Sequence, residues 1–166
     1  FQSTAQKTDL ADVLHGVNGS GVLDFVCGWY VKAAHYVRAA EAVGEVSPTC
    51  AFVSTNSITQ GEQVGVLWGC MLSQSMHIQF AHRTFVWSNE AKGKAAVHCV
   101  IVGFGLEDRA DKAIFEYADI KGDPLAVPAK NINPYLVDFN DLLLERRSKP
   151  ICTVPPLVEG ITPLDN

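Results

Sequence analysis

The segment Ala95-Ala-Val-His-Cys-Val-Ile-Val-Gly-Phe104 limits this chain's fold more than any other. As a strand, its apolar side chains from Val97 to Val102 point both ways, so it needs cover on both faces. That requirement favours a layered α/β sheet over a sandwich edge. The polar, lysine-bearing turn Ser88 to Lys94 precedes it, and before that lies the aromatic-tipped segment Ile78 to Trp87. Together they read as an antiparallel hairpin whose tip can meet something anionic.

Upstream, a loop at Gly16-Val-Asn-Gly-Ser-Gly21 opens a helix with Ser20 as its cap. Its buried face is Leu23, Val26, Cys27, Tyr30, Ala34 and Val37, Asp24 sits at the positive end of its dipole, and Gly44 and Pro48 stop it. Cys50 to Ser54 follows as a short strand. Thr59 and Glu62 then have the spacing of a capping box, and Val64, Leu67, Trp68 and Met71 form the next apolar stripe. Ala113 to Tyr117 can add a further strand. The alternation predicts a parallel sheet flanked by helices, half of a doubly wound fold, closed by the antiparallel pair. From Asp123 onward prolines recur at 124, 128, 134, 150, 155, 156 and 163, arguing against regular helices or central strands. Residues 1–120 therefore read as one domain, and 121–166 as a proline-rich linker entering another.

Composition narrows the function. A net charge of −5 over 166 residues argues against a sequence-blind nucleic-acid binder, so any DNA contact must be local. Five widely spaced cysteines without a Cys-x-x-Cys pair read as buried thiols in a reducing cytoplasm. The longest apolar run is shorter than the ~20 residues that cross a bilayer, so no membrane association is expected. The chain opens on Phe1, which predicts a piece of something longer.

In an open α/β sheet the ligand lies outside the carboxyl ends of the strands, so Thr55, Asn56, Ser57 and Gln60 are placed to line a cleft. The plain alternative is a turn into a capped helix. At the hairpin, Phe85 and Trp87 can stack on a base, while Arg83, Asn89, Lys92 and Lys94 can hold phosphates. Against this, strand aromatics are more often core, and lysines in a turn are usually just solvated. The histidines lack zinc spacing, and His98 reads as a core residue. No Gly-x-Ser-x-Gly elbow or phosphate-cradling Gly-x-x-x-x-Gly-Lys loop occurs.

Four stretches in this order carry a resemblance. They are Leu23-Asp-Phe-Val-Cys-Gly-Trp-Tyr-Val-Lys-Ala-Ala34, the Phe52 to Gln63 segment, the hairpin, and Asn131-Ile-Asn-Pro-Tyr-Leu-Val137 with Glu145-Arg-Arg-Ser-Lys-Pro150. The chain resembles the C-terminal half of the methyltransferase domain in fused restriction-modification DNA adenine-N6 methyltransferases of the type IIL and IIG kind. The resemblance implies the later strands and helices of a Rossmann-like class I methyltransferase sheet, S-adenosylmethionine as cofactor, double-stranded DNA as partner, and methyl transfer to N6 of adenine. It places the base-stacking aromatic near the hairpin tip, at Phe85 or Trp87, which alternation puts on one face. From about Asn131 the chain would approach the target-recognition region.

The family's glycine-rich cofactor loop and its Asn-Pro-Pro-aromatic motif are both missing. Asn133-Pro-Tyr135 lacks the second proline, and Pro155-Pro156 lies in the wrong context. The resemblance puts the catalytic motif upstream of Phe1, leaving no catalytic residue in this chain and predicting that it neither binds cofactor nor methylates alone. An exposed sheet edge would then favour self-association. Two other readings are a non-catalytic DNA-binding or subunit-interaction module lacking the cofactor half, and a methyltransferase acting on RNA or protein.

Overall fold

The computed structural model describes residues 2–44, 46–87, 97–144 and 152–154. Three helices, α1 (Thr4–Val13), α2 (Cys27–Ala42) and α3 (Glu62–Ser73), accompany five strands: β1 (Cys50–Thr55), β2 (His77–Trp87), β3 (Val97–Gly105), β4 (Lys112–Glu116) and β5 (Leu125–Ala129). The strands form one sheet in the order β1-β3-β2-β4-β5.

This mixed α/β sheet is mostly antiparallel, with a single parallel ladder, between β2 and β4, among the described residues. The expectation of parallel neighbours fails at one place for a definite reason. β3 is the second arm of a hairpin and must oppose β2, and it fills the gap between β2 and β1. Because β1 and β2 both oppose β3, they run in the same direction, and their carboxyl ends reach the same sheet edge. The alternation of strands and helices was a correct guide to strand direction but not to which strands are neighbours.

The helices pack on one face of the sheet. Tyr30 of α2 stacks on Phe104 (ring centroids 5.4 Å apart, planes at 22°) and meets Phe52 and Trp68. Cys27, Tyr30, Ala34 and Val37 are fully buried at helical spacing, as are Val64, Leu67, Trp68 and Met71 on α3. Trp68 Nε1 donates to the Ile58 carbonyl at 2.9 Å, satisfying the one polar atom of the largest core side chain. By strand alternation the opposite face carries Val53, Ile101, Phe80, His82 and Phe115, and no helix of the described residues lies over it. Cover on the second face, which β3's composition calls for, is therefore absent among the described residues.

The helix caps differ from the expected ones. Ser20 lies in a separate 3-10 turn, and α2 starts at Cys27 without a side-chain cap. Thr59 donates to the Asn56 carbonyl instead of capping α3, which begins after Gly61. The capping box is on α1, where the Ser3 and Gln6 side chains and backbones bond reciprocally in a stretch that reads as a plain polar opening. Gly44 does stop α2: its φ of +77° is the left-handed turn that suits glycine.

The proline-rich region contains structure. β5 includes Pro128 and pairs antiparallel with β4 as the sheet's outer strand, a position that tolerates a residue without an N–H. Beyond it Ile132 and Leu136 are buried in the main core. The Lys112 ammonium is buried too, held by Asp108 at 2.6 Å and the Asn131 side-chain oxygen at 3.1 Å.

Candidate functional site

The carboxyl ends of β1 and β2 meet the amino end of β3 in one register row: Thr55 pairs with Cys99, and Cys99 with Phe85. At the β1 end the residues expected to line a cleft are linked by hydrogen bonds. Ser57 Oγ donates to Asp24 Oδ2 at 2.6 Å and lies 2.8 Å from Thr55 Oγ1. Since the Ser57 proton is committed to Asp24, the Thr55 hydroxyl must be the donor in the second bond. The Asp24 N–H donates to Gln63 Oε1 at 2.9 Å, tying this group to α3. Asn56 Nδ2 reaches Thr84 Oγ1 of β2 at 3.5 Å, and Gln60 is exposed just beyond. Asp24, read from sequence only as a dipole-matched acid, is the hub of this cluster; its distance along the chain from Ser57 hid it.

The β2 end is aromatic. Two irregularities interrupt its pairing with β3, and the second, between His82 and Phe85, sets three residues of β2 against two of β3. This bulge reverses the parity, so Phe85 and Trp87 share the face of Phe80 and His82, away from the helices. A continuous strip results. Phe80 stands edge-on to His82, and His82 stacks on Phe115 (4.1 Å, 4°). His82 Nδ1 lies 2.8 Å from the Tyr117 hydroxyl, and Tyr117 stacks on Phe85 (5.3 Å, 23°). Trp87 follows at 6.3 Å from Phe85 and is 49% exposed. Burial pulls the His82 pKa down and pushes that of Tyr117 up, so both favour their neutral forms. Sequence alternation could not reveal the bulge, and so gave no hint that His82 and Tyr117 belong with Phe85.

The other candidates are scattered or undescribed. Arg83 is half-exposed and paired with Glu116 at 3.1 Å. Asn89, Lys92 and Lys94 lie outside the described residues. His98 is exposed, not a core residue: it is the second residue of β3, where the strand's first two side chains lie outside the buried stretch that begins at Cys99. The cysteines are all free, but only Cys27 and Cys99 are buried. Burial, reinforced by the neighbouring Asp24 charge, pushes the Cys27 thiol up to about 12, which removes it as a nucleophile. No described helix is long and apolar enough to cross a membrane. Among the described residues no group of three or more His, Cys, Asp or Glu side chains could hold a metal ion.

Residues 1–116 match the family described as "MmeI, DNA-methyltransferase domain". The chain belongs to that family. It is 38% identical over 165 residues to DNA methyltransferase A of Bacillus subtilis (strain 168), covering 99% of this chain and 17% of that protein. The solved structure of the type IIL restriction-modification enzyme MmeI in complex with DNA matches it with a TM-score of 0.86 at 53% identity, covering 93% of this chain and 20% of MmeI. This chain thus spans about a fifth of the length of these relatives. The expected resemblance and fold class agree with these matches.

Proposed function

We infer that this chain is part of a restriction-modification DNA methyltransferase that transfers the methyl group of S-adenosylmethionine to N6 of adenine in double-stranded DNA. The observation that carries the reading is the family match over residues 1–116. Its chemical support is the facing of a polar strand end and an aromatic strip across one edge of the sheet. A base can be methylated at its exocyclic amine only once it is out of the stack, and an extruded base is then held by flat side chains. Phe85 or Trp87 offers that surface. Thr55, Asn56, Ser57 and Gln60 line the cleft opposite. Arg83, Asn89, Lys92 and Lys94 contact phosphates, for which Arg83 exchanges its weak, exposed pairing with Glu116.

S-adenosylmethionine supplies an electrophilic methyl group when bound. The described residues do not fit it: the polar side chains at the β1 end are paired with one another, and the one orphaned buried side-chain atom, Ser47 Oγ, precedes β1 at its other end. No proton-handling or amino-holding role is assigned here. Residues 1–120 form the later part of the catalytic domain, and the chain from about 131 leads to target recognition. By itself the chain binds no cofactor and transfers no methyl group; a saturable micromolar site in calorimetry would refute this. The outer edge of β1, unpaired among the described residues, favours self-association, and a strictly monomeric species in concentrated sedimentation runs would speak against it. The enzyme works in the cytoplasm, on cellular DNA.

The test is methyl transfer by the full-length protein. Phe85→Ala or Trp87→Ala, whichever removes the ring that stacks on the base, should slow it while cofactor affinity holds. Lys92→Ala with Lys94→Ala should weaken DNA binding equally for all sequences and flatten its salt dependence. Wild-type rates in both aromatic variants would rule out base stacking.

A further inference from the structure

The hairpin offers two aromatics on one face, and the register separates them. Phe85 is level with Thr55, the last residue of β1, through the shared partner Cys99. Trp87 pairs with Val97, one side-chain row farther out, where β1 has already ended. Two strand residues advance the chain by about 7 Å, roughly the width of a base, so only Phe85 is level with the polar end of β1, across β3. The two rings also differ in support. Trp87 is 49% exposed, with a single tilted ring contact among the described residues. Phe85 rests on Tyr117, whose hydroxyl is bonded to His82, and His82 is itself stacked on Phe115. A second restraint fixes the backbone here: the Val86 N–H donates to the Ile120 carbonyl at 2.8 Å, clamping the loop after Tyr117 against β2.

We propose that Phe85, rather than Trp87, carries the extruded base, and that Tyr117 is a positioning residue that holds the Phe85 ring through its own hydrogen bond to His82. This rests on the base-stacking reading above. The physical reason is preorganisation: a ring already fixed in its binding orientation loses no rotamer freedom when the base arrives. β2 alone could not provide this. Its bulge brings His82 and Phe85 to one face, and the backing layer is Phe115 of β4 together with Tyr117, just past the end of that strand.

The experiment uses the full-length protein and DNA carrying 2-aminopurine at the target position, whose fluorescence reports unstacking, together with single-turnover methylation. Phe85→Ala should slow methylation ~5- to 150-fold, the equivalent of one base-stacking contact. Tyr117→Phe keeps the ring and loses only the hydroxyl, so it should fold normally and slow methylation ~2- to 5-fold, with S-adenosylmethionine affinity unchanged. In a Phe85→Ala background the same change should have no further effect, because a positioning residue acts only through what it positions. Trp87→Ala should stay within ~3-fold of wild type, as expected of a rim contact. Additive losses from Tyr117→Phe and Phe85→Ala, or a Tyr117→Phe enzyme at wild-type rate, would overturn the positioning role. A large loss in Trp87→Ala with a normal Phe85→Ala would overturn the choice of ring. Normal rates in both aromatic variants would instead sink the base-stacking reading beneath it.

Discussion

Gly103→Ala is expected to destabilise this protein although it fills a strand with a better strand former. Gly103 of β3 pairs with Phe80 of β2 on the face away from the helices, and a Cβ built there falls within the Phe80 ring. Backbone atoms cannot yield cheaply in the middle of a sheet, so the ring must swing out. Phe80 is half-buried and stands edge-on to His82 at 6.5 Å, so displacement forfeits that contact and part of the ring's burial. Burial of a phenylalanine is worth about 1.5–3 kcal/mol, of which a half-buried ring loses a part. Replacing glycine inside a strand returns about 0.5–1 kcal/mol. With the lost ring pair counted at a further ~0.5–1.5 kcal/mol, the net is a loss of about 1 kcal/mol, at the low end of the usual range for overpacking. Urea unfolding should show a lower midpoint with an unchanged slope. In a Phe80→Ala background the added methyl has room, and Gly103→Ala should become neutral or stabilising. Equal costs in the two backgrounds, or a stabilised single variant, would refute the reasoning.

Three further outcomes follow from the packing. The hydrogen bond from buried Lys112 holds the Asp108 carboxyl below its ordinary range, so the contribution of Asp108 to stability is present above its unfolded pKa of about 4 and lost as the pH falls through the lower folded value. The gap between wild type and Asp108→Asn in urea midpoint should therefore be larger at pH 6 than at pH 3, though modest because Asp108 is exposed; a gap that widens on acidification would contradict this. With its thiol pushed up to about 12, Cys27 should resist alkylation at pH 8 until the protein unfolds, whereas exposed Cys152 should react first; mass spectrometry finding Cys27 modified as fast as Cys152 would count against the burial argument. Trp68→Phe should cost about 1–3 kcal/mol by leaving the buried Ile58 carbonyl unpaired, and a thermal midpoint equal to wild type would show that water or repacking replaces the bond.

Much of this architecture is legible in sequence because it depends on period and composition. The stripes Cys27–Tyr30–Ala34–Val37 and Val64–Leu67–Trp68–Met71 are the buried faces of α2 and α3, and the hairpin strands fall within a few residues of β2 and β3. What stays hidden depends on pairing. The insertion of β3 between β1 and β2 is a property of the sheet, not of any local stretch. Pro128 argues against a strand until the outer position of β5 is known, since only there is its missing N–H without consequence. The candidate site divides in the same way. Thr55, Asn56 and Ser57 follow from the rule for strand ends, but Asp24 reaches Ser57 across 33 residues and Tyr117 reaches His82 across 35. The bulge that turns Phe85 toward Tyr117 has no signature such as a glycine at the step from His82 to Phe85.

The most direct test of the central claim is the chemical identity of the modified base. Double-stranded DNA incubated with the full-length protein and methyl-labelled S-adenosylmethionine would be digested to nucleosides and resolved by mass spectrometry. The account predicts label in N6-methyladenine alone, reduced when Phe85 is changed to alanine. Label in a methylated cytosine, in RNA or in protein, or its absence from DNA altogether, would contradict it.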